Sequence, residues 1–344
     1  MAGGARARLE PLLARHWWRR EASWLSRGLA PLAALYGALA ARAARREPET
    51  LPVPIVVVGN LVVGGAGKTP TVIALVQALA AAGWRPGIVS RGHGRAGEGV
   101  HAVQPGDGAA TAGDEPLLLR RRTARPVWVG RDRVAAVRAL LAAHPDVDVV
   151  VSDDGLQHAR LPRRLEIVVF DERGAGNGRL LPAGPLREPM PAAWPPERLV
   201  LYNAPAPSTA VPGALARRAP GPVLPLRAWL GGDASAAQPL SALRGHRLLA
   251  AAGIASPERF FAMLEAAGLS IERLPLPDHH AYATLPWPAA TPEVVLTEKD
   301  AVKLDPGLLG TTKAWVVGLD FALPADFINA VLRRLGPAPE RRTP

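Results

Sequence analysis

The sequence predicts an α/β chain: a mostly parallel sheet flanked by helices, with a smaller C-terminal α/β lobe and an N-terminal membrane-associated helix. Three observations predict it. Ile55 to Val58 is a β-branched run of the kind buried on both faces of a parallel sheet, and it feeds a glycine-rich turn and then a helix with Val72, Leu75, Val76 and Leu79 at helical spacing. Further short apolar runs alternate with helical patterns along the rest of the chain. Finally, Gly28 to Ala41 is apolar and flanked by arginines.

The turn after the first strand reads Val62-Val63-Gly64-Gly65-Ala66-Gly67-Lys68-Thr69. Glycines there let backbone N–H groups close on phosphate oxygens, Lys68 adds a mobile charge, Thr69 offers a hydroxyl to Mg2+, and the helix N-terminus favours an anion. This is a P-loop, which calls for ATP and Mg2+; the alternative is a tight strand-to-helix turn with no ligand. Val62 stands where the usual pattern has its first glycine, so the loop is a variant. Only four lysines occur in the chain, at 68, 299, 303 and 313, which sharpens the meaning of the one in the loop.

The 344 residues suffice for two domains, and 48% hydrophobic residues fit a globular protein. Absence of cysteine excludes disulfides, thiolate zinc sites and cysteine nucleophiles. A formal charge of +11 calls for anionic partners such as nucleotides, anionic lipid or a phosphorylated substrate. Nothing resembling a zinc finger or an aromatic-basic recognition motif accompanies that charge, so nucleic acid is not an expected partner.

Residues 1–46 form the first expected segment. Arg15, Arg19, Arg20 and Arg27 precede the apolar stretch, Arg42, Arg45 and Arg46 follow it, and Trp17, Trp18 and Trp24 lie on the near side. The stretch is too short to span a bilayer, and its flanks suit the headgroup boundary at the cytoplasmic face of a membrane. A helix covering the core and an organellar transit peptide are the alternatives. Residues 47–203 make the nucleotide-binding domain. Within it Asp114 and Glu115 open a helix, as caps do, and the strand Val147–Val151 ends in Asp153-Asp154-Gly155-Leu156-Gln157-His158. Carboxylates at a parallel strand's C-terminal end suit Mg2+, so the metal set is Thr69, Asp153 and Asp154; Gln157 and His158 can orient water or substrate, or serve structure. Arg179 and Arg187 lie in a Gly/Pro-rich loop where they can grip phosphate.

Residues 204–225, rich in Pro, Ala and Gly, read as a linker, and 226–344 as the smaller lobe. That lobe carries Asp278-His279-His280, which can bind metal, hold a base or cap a turn. It also carries Thr297-Glu298-Lys299-Asp300-Ala301-Val302-Lys303, which reads as a solvated charge run.

Taken in order, VGNLVVGGAGKTP (58–70), SRGHG (90–94), GDEP (113–116), GRDR (130–133), DDGLQH (153–158), GRLLPAGPLREP (178–189), PDHH (277–280) and TEKDAVK (297–303) resemble the tetraacyldisaccharide 4'-kinases of lipid A biosynthesis. The resemblance implies transfer of the ATP γ-phosphoryl group to the 4'-hydroxyl of a membrane-held tetraacyldisaccharide 1-phosphate, with no obligate protein partner. It implies that Asp114 and His279 act as a catalytic pair with Lys68, meeting when two lobes close over ATP. Asp153 and Asp154 then organise magnesium with Thr69, Arg131 and Arg187 receive the 1-phosphate, and Glu115, Gln157, His158 and Asp278 stand nearby. Two other classes compete: a P-loop switch or partitioning ATPase without a lipid substrate, faintly suggested by Gly64-Gly65 but lacking a lysine where Val63 stands, and a nucleic-acid binder.

Overall fold

The computed structural model describes residues 13–19, 21 and 23–340. Arg20, Ala22 and residues 1–12 of the expected N-terminal segment therefore lie outside the described residues. In chain order the first strands are β1 (Ile55–Gly59), β2 (Pro86–Ser90), β3 (His101–Ala102), β4 (Val127–Val129), β5 (Val149–Asp153), β6 (Leu165–Asp171), β7 (Arg198–Asn203) and β8 (Ala214–Leu215). There follow β9 (Arg217–Pro225), β10 (Leu248–Ala252), β11 (Ile271–Pro275), β12 (Glu293–Thr297) and β13 (Lys313–Ala322).

Two compact units share these elements. The first comprises the described residues up to Arg91, Asp132–Ala216 and those from Leu323 on; the second comprises Gly92–Arg131 and Arg217–Ala322. Residues 92–131, expected in the nucleotide-binding domain, thus group with the later lobe, and the C-terminal helix Ala325–Leu335 groups with the first unit.

In the first unit six strands run in the order β2-β5-β1-β6-β7-β8, each neighbouring pair parallel. β1 lies inside the sheet and every residue of it is buried, which is why its sequence is an unbroken apolar run rather than an alternating one. The helix Lys68–Ala81 covers β1 and β5, burying Val72, Leu75, Val76 and Leu79. Register places Val58 opposite Asp153 and Asp171 opposite Asn203, so the glycine-rich turn, the two aspartates and Asn203 all leave the sheet at its C-terminal edge. Parallel α/β sheets bind ligands at that edge.

The helix Ala30–Ala44 has two unlike sides. Ala33 is buried, Tyr36 donates its hydroxyl hydrogen to the Arg187 carbonyl at 3.0 Å, and Gly37 lets Leu180 approach closely. Leu32, Leu35 and Leu39, at spacings of three and four, stay more than half exposed, as does Trp24. No helix among the described residues is long and apolar enough to cross a membrane.

In the second unit β11-β10-β12-β13-β9 form a sheet whose first three pairs are parallel, while β13 and β9 are antiparallel. Phe260, Phe261 and Leu264 of the helix Pro257–Ala266 pack with Ala250, Val295 and Trp315 in its core. The expected linker 204–225 is corrected here, since it contains β8 and the nine-residue β9. Pro220, Pro222 and Pro225 suggested a break, yet β9 is the edge strand of its sheet, the position where proline is tolerated.

Candidate active site

One candidate site lies in the first unit and grows from the end of β1. Asn60, the first residue beyond the strand, donates from Nδ2 to the Gly64 carbonyl at 3.0 Å and accepts from Lys68 Nζ at 3.1 Å on Oδ1. One side chain therefore braces the loop and sets its lysine. Gly67 adopts φ +89° and begins the helix Lys68–Ala81 without any side-chain cap, which leaves the first helical N–H groups for an anion. A methyl group at Gly67 would fall 1.9 Å from Asn203 Nδ2, which donates to the Ala66 carbonyl at 3.0 Å. Only glycine satisfies both the backbone and that close approach. The loop is also tied to the PAGPLREP segment, through Val63 N to the Pro185 carbonyl at 2.9 Å and Arg187 N to the Leu61 carbonyl at 2.7 Å. Val62 is fully buried and bridges to Leu186, so the apolar side chain at the variant position serves packing.

Lys68 Nζ lies 3.6 Å from Asp154 Oδ1, and Arg187 Nη1 lies 3.1 Å from the same oxygen. Asp154 has φ +50°, an uncommon conformation for a residue other than glycine and one that turns its carboxylate toward these cations. Burial pushes the Asp154 carboxyl upward, but the charges of Lys68, Arg187 and Arg133 outweigh it and hold the group below the usual carboxylate range. Asp153, buried at the end of β5, accepts from Ser90 Oγ at 3.3 Å. Arg133 is itself buried, and burial, opposed by the charges of Asp153 and Asp154, brings its guanidinium down to about 10. Arg187 also reaches Gln157 Oε1 at 3.3 Å, so its charge is committed beside Asp154. His158 is half-buried, and burial together with the charge of Arg133 moves its imidazole below its ordinary value. Among the described residues no three His, Asp or Glu side chains gather as a metal cage.

A second candidate site lies wholly in the second unit. Asp114 opens the helix Asp114–Thr123 and is buried, with its Oδ2 2.8 Å from His279 Nδ1. The expectation that this pair forms only on closure of two lobes is corrected: both residues belong to one unit and are already hydrogen-bonded. Sequence separation had suggested separate bodies, but residues 92–131 fold into the later lobe. His279 has φ +59°, a second left-handed residue at a point where a side chain must be aimed. Its backbone N–H meets the Gly253 carbonyl at 3.2 Å, and Asp278 Oδ1 also accepts from it, at 3.0 Å.

The electrostatics of the pair are set by its neighbours. Burial raises the Asp114 carboxyl, but its hydrogen bond with His279 and the charges of Lys299 and Lys303 win, so it stays below its ordinary value. The hydrogen bond that His279 donates to Asp114 raises the imidazole, against burial and Lys299. Without the Asp114 carboxylate the opposing effects remain, so Asp114→Asn should carry His279 from above its ordinary value of about 6.5 to at or below it. A 15N NMR titration of the histidine rings measures this directly, and an unchanged His279 value would contradict the assigned cause.

The charge run at 297–303 is the other correction. Glu298, Asp300 and Ala301 are buried, and the Lys303 side chain is almost fully covered. Thr297 caps the short helix by accepting from Asp300 N, while Asp300 takes hydrogen bonds from Thr297 Oγ1, Gly253 N and Lys303. Glu298 accepts from Arg122 at 2.5 Å and from Trp229 Nε1 at 3.3 Å. The charges are inside because each has a partner, information that residue type alone does not carry. Lys299, from the same turn, reaches Glu115 Oε1 at 3.1 Å and Asp278 Oδ1 at 3.5 Å.

Asn60, Asn203 and Lys299 were missed as site residues in the sequence. The first two stand just beyond or at the end of an apolar strand on the ligand-binding edge, a signal that could have found them. Arg131, by contrast, is largely exposed and only 3.8 Å from Glu98.

Residues 25–336 match the family model described as tetraacyldisaccharide-1-P 4'-kinase. The tetraacyldisaccharide 4'-kinases of Methylibium petroleiphilum and Leptothrix cholodnii are each 52% identical to this chain over 353 aligned positions. The alignments cover 98% of this chain in both cases, and 97% and 99% of the respective relatives. The crystal structure of LpxK from Aquifex aeolicus, described as an "apo" form in complex with ATP, superposes with a TM-score of 0.73 at 25% identity, covering 91% of this chain and 100% of that one. The chain belongs to the tetraacyldisaccharide-1-P 4'-kinase family.

Proposed function

We propose that this chain transfers the γ-phosphoryl group of ATP to the 4'-hydroxyl of tetraacyldisaccharide 1-phosphate in lipid A biosynthesis. The observation that carries this reading is the Asp114–His279 hydrogen bond of 2.8 Å, a buried proton acceptor paired with an orienting imidazole, in a chain of this family. In the reaction the sugar hydroxyl oxygen forms a bond to the γ-phosphorus, the bond from that phosphorus to the β-bridging oxygen breaks, ADP leaves, and the hydroxyl proton passes to Asp114. Such transfer depends on placement and on neutralising the phosphate charge, rather than on a covalent intermediate. Lys68 and the loop N–H groups of 64–69 supply the cradle. His279 holds the Asp114 carboxylate in place through its Nδ1 hydrogen bond.

Thr69, Asp153 and Asp154 form an oxygen-only donor set, which suits a hard divalent cation. Bound there, Mg2+ would neutralise charge on the triphosphate. Arg187 and Lys68 keep Asp154 anionic for that purpose. Of the two arginines considered for the 1-phosphate, Arg131 has the more available guanidinium, since Arg187 pairs with Asp154. The switch-type ATPase is not favoured, because the relatives are kinases of this family. The test is transfer of labelled γ-phosphate to tetraacyldisaccharide 1-phosphate in mixed micelles with Mg2+. A 4'-phosphorylated lipid is expected; ATP hydrolysis without lipid product would restore the switch ATPase.

The N-terminal segment is read as the part that lies on the cytoplasmic face of the inner membrane. Support comes from exposed Trp24, Leu32, Leu35 and Leu39 beside exposed Arg27, Arg42, Arg45 and Arg46, a combination suited to an anionic interface. Burying a leucine side chain contributes about 1.5–3 kcal/mol, so changing Leu32, Leu35 and Leu39 together to Glu should lower vesicle partitioning at least about tenfold. Co-sedimentation with anionic phospholipid vesicles checks it, with ATP affinity expected to stay constant; equal partitioning of the variant would place the lipid-facing surface elsewhere.

A further inference from the structure

We propose that Lys299 is the positioning residue of the proton-accepting pair: its ammonium, held by Glu115 and Asp278, sits against His279 Nε2 and fixes the imidazole with its Nδ1–H directed at Asp114. The proposal rests on the kinase reading above and deepens it.

The geometry starts from the turn that carries the lysine. Thr297 and Asp300 lock the short helix Glu298–Ala301 through reciprocal hydrogen bonds, and Glu298 ties it to Arg122 and Trp229. Lys299 therefore leaves a rigid base. Its Nζ is 3.1 Å from Glu115 Oε1, 3.5 Å from Asp278 Oδ1, 3.5 Å from His279 Nε2 and 3.9 Å from Asp114 Oδ2, with the side chain only 18% exposed. An ammonium has donors and no acceptor, so the ring nitrogen facing it presents a lone pair. The ring proton then lies on Nδ1, where Asp114 Oδ2 waits at 2.8 Å. A second consequence is electrostatic. A cation beside both members resists protonation of His279 at Nε2 and favours the anionic form of Asp114, the form able to accept a hydroxyl proton.

The other charged and titratable groups facing the pair are Glu115 from the helix Asp114–Thr123, Asp278 beside His279, Lys303, and His93, whose ring centroid is 5.6 Å from that of His279. Glu115 and Asp278 hold Lys299 by its ammonium. With three carboxylates around its ammonium, Lys299 is raised well above its ordinary value: burial opposes this, and Glu115, Asp114 and Asp278 prevail.

The experiment compares the pH dependence of kcat/KM for lipid phosphorylation in the full chain with that of Lys299→Met and Lys299→Arg, together with 15N titration of His279 in each. Removing the cation should raise the pKa of both members, so the acid limb and the His279 titration should each move up by about one pH unit in Lys299→Met. At pH values on the new limb this lowers kcat/KM roughly tenfold. Lys299→Arg keeps the charge and should restore both midpoints, even where altered geometry lowers kcat. A role confined to stability would lower the melting temperature and leave both midpoints in place, which would overturn the proposal. If the methionine variant does not fold, Lys299→Gln, which keeps a donor toward Glu115 and Asp278 while losing the charge, faces the same two outcomes. If the unmodified chain makes no lipid product, the kinase reading fails, while the His279 titration still decides whether Lys299 sets the pair.

Discussion

Replacing Asp114 with alanine is expected to lower γ-phosphoryl transfer to the lipid by about 10²–10⁴-fold while ATP binding is retained. Asp114 is the buried group of the second unit's site, and its anionic state is maintained against desolvation by His279, Lys299 and Lys303. Alanine removes the proton acceptor and also leaves His279 without the partner that aims its ring. The nucleotide cradle is unaffected, because Lys68, Asn60, Gly67 and Asn203 belong to the other unit and bond among themselves. Fluorescent-nucleotide binding and a thermal melt separate this outcome from misfolding, since Glu115 and Asp278 still neutralise Lys299 in the variant. Wild-type turnover by Asp114→Ala would remove the assigned base, and lost ATP affinity would show that the two sites are not independent.

For Lys68→Ala the expected loss is about 10²–10³-fold in kcat, the scale for deleting one charged or hydrogen-bonding contact to a developing oxyanion. ATP affinity falls as well, because Lys68 is the only lysine in the loop and contacts both Asn60 and Asp154. The variant has a further signature. After burial, which acts the other way, Lys68 heads the influences on Asp154; deleting it raises the Asp154 pKa, while Arg187 and Arg133 continue to hold it down. In metal-free Lys68→Ala the Asp154 carboxyl should therefore titrate higher by 13C NMR while the Asp114–His279 pair titrates as before. Measuring kcat and KM for ATP checks the activity loss, and a change in KM alone would mean that Lys68 binds ground state and transition state equally.

Much of the first unit was legible in the sequence because its determinants are local. Ile55–Gly59 must be a doubly buried strand, Gly67 must turn, and the helix from Lys68 must bury Val72, Leu75 and Val76; each follows from neighbours within one or two turns. The same holds for Asp153 and Asp154 at the end of β5. Asp114 and His279 were paired by resemblance to the family, but Asp114 was assigned to the nucleotide-binding domain and His279 to the later lobe, whereas one unit holds both.

What local sequence could not supply was the partner across the chain. Pro220, Pro222 and Pro225 read as a linker because a proline's cost depends on whether its strand is central or at an edge, and that is settled only when β13 pairs with one side of β9. Glu298, Lys299 and Lys303 read as solvated because burial of a charge depends on a counter-charge, and theirs come in part from residues 115 and 122, more than 170 positions away. The sequence by itself determined the phosphate cradle, the strand-end carboxylates and the family. Only the tertiary structure decided that residues 92–131 join the later lobe and that Lys299 stands beside Asp114 and His279, because long-range pairing of charges and strand edges is a property of the assembled fold.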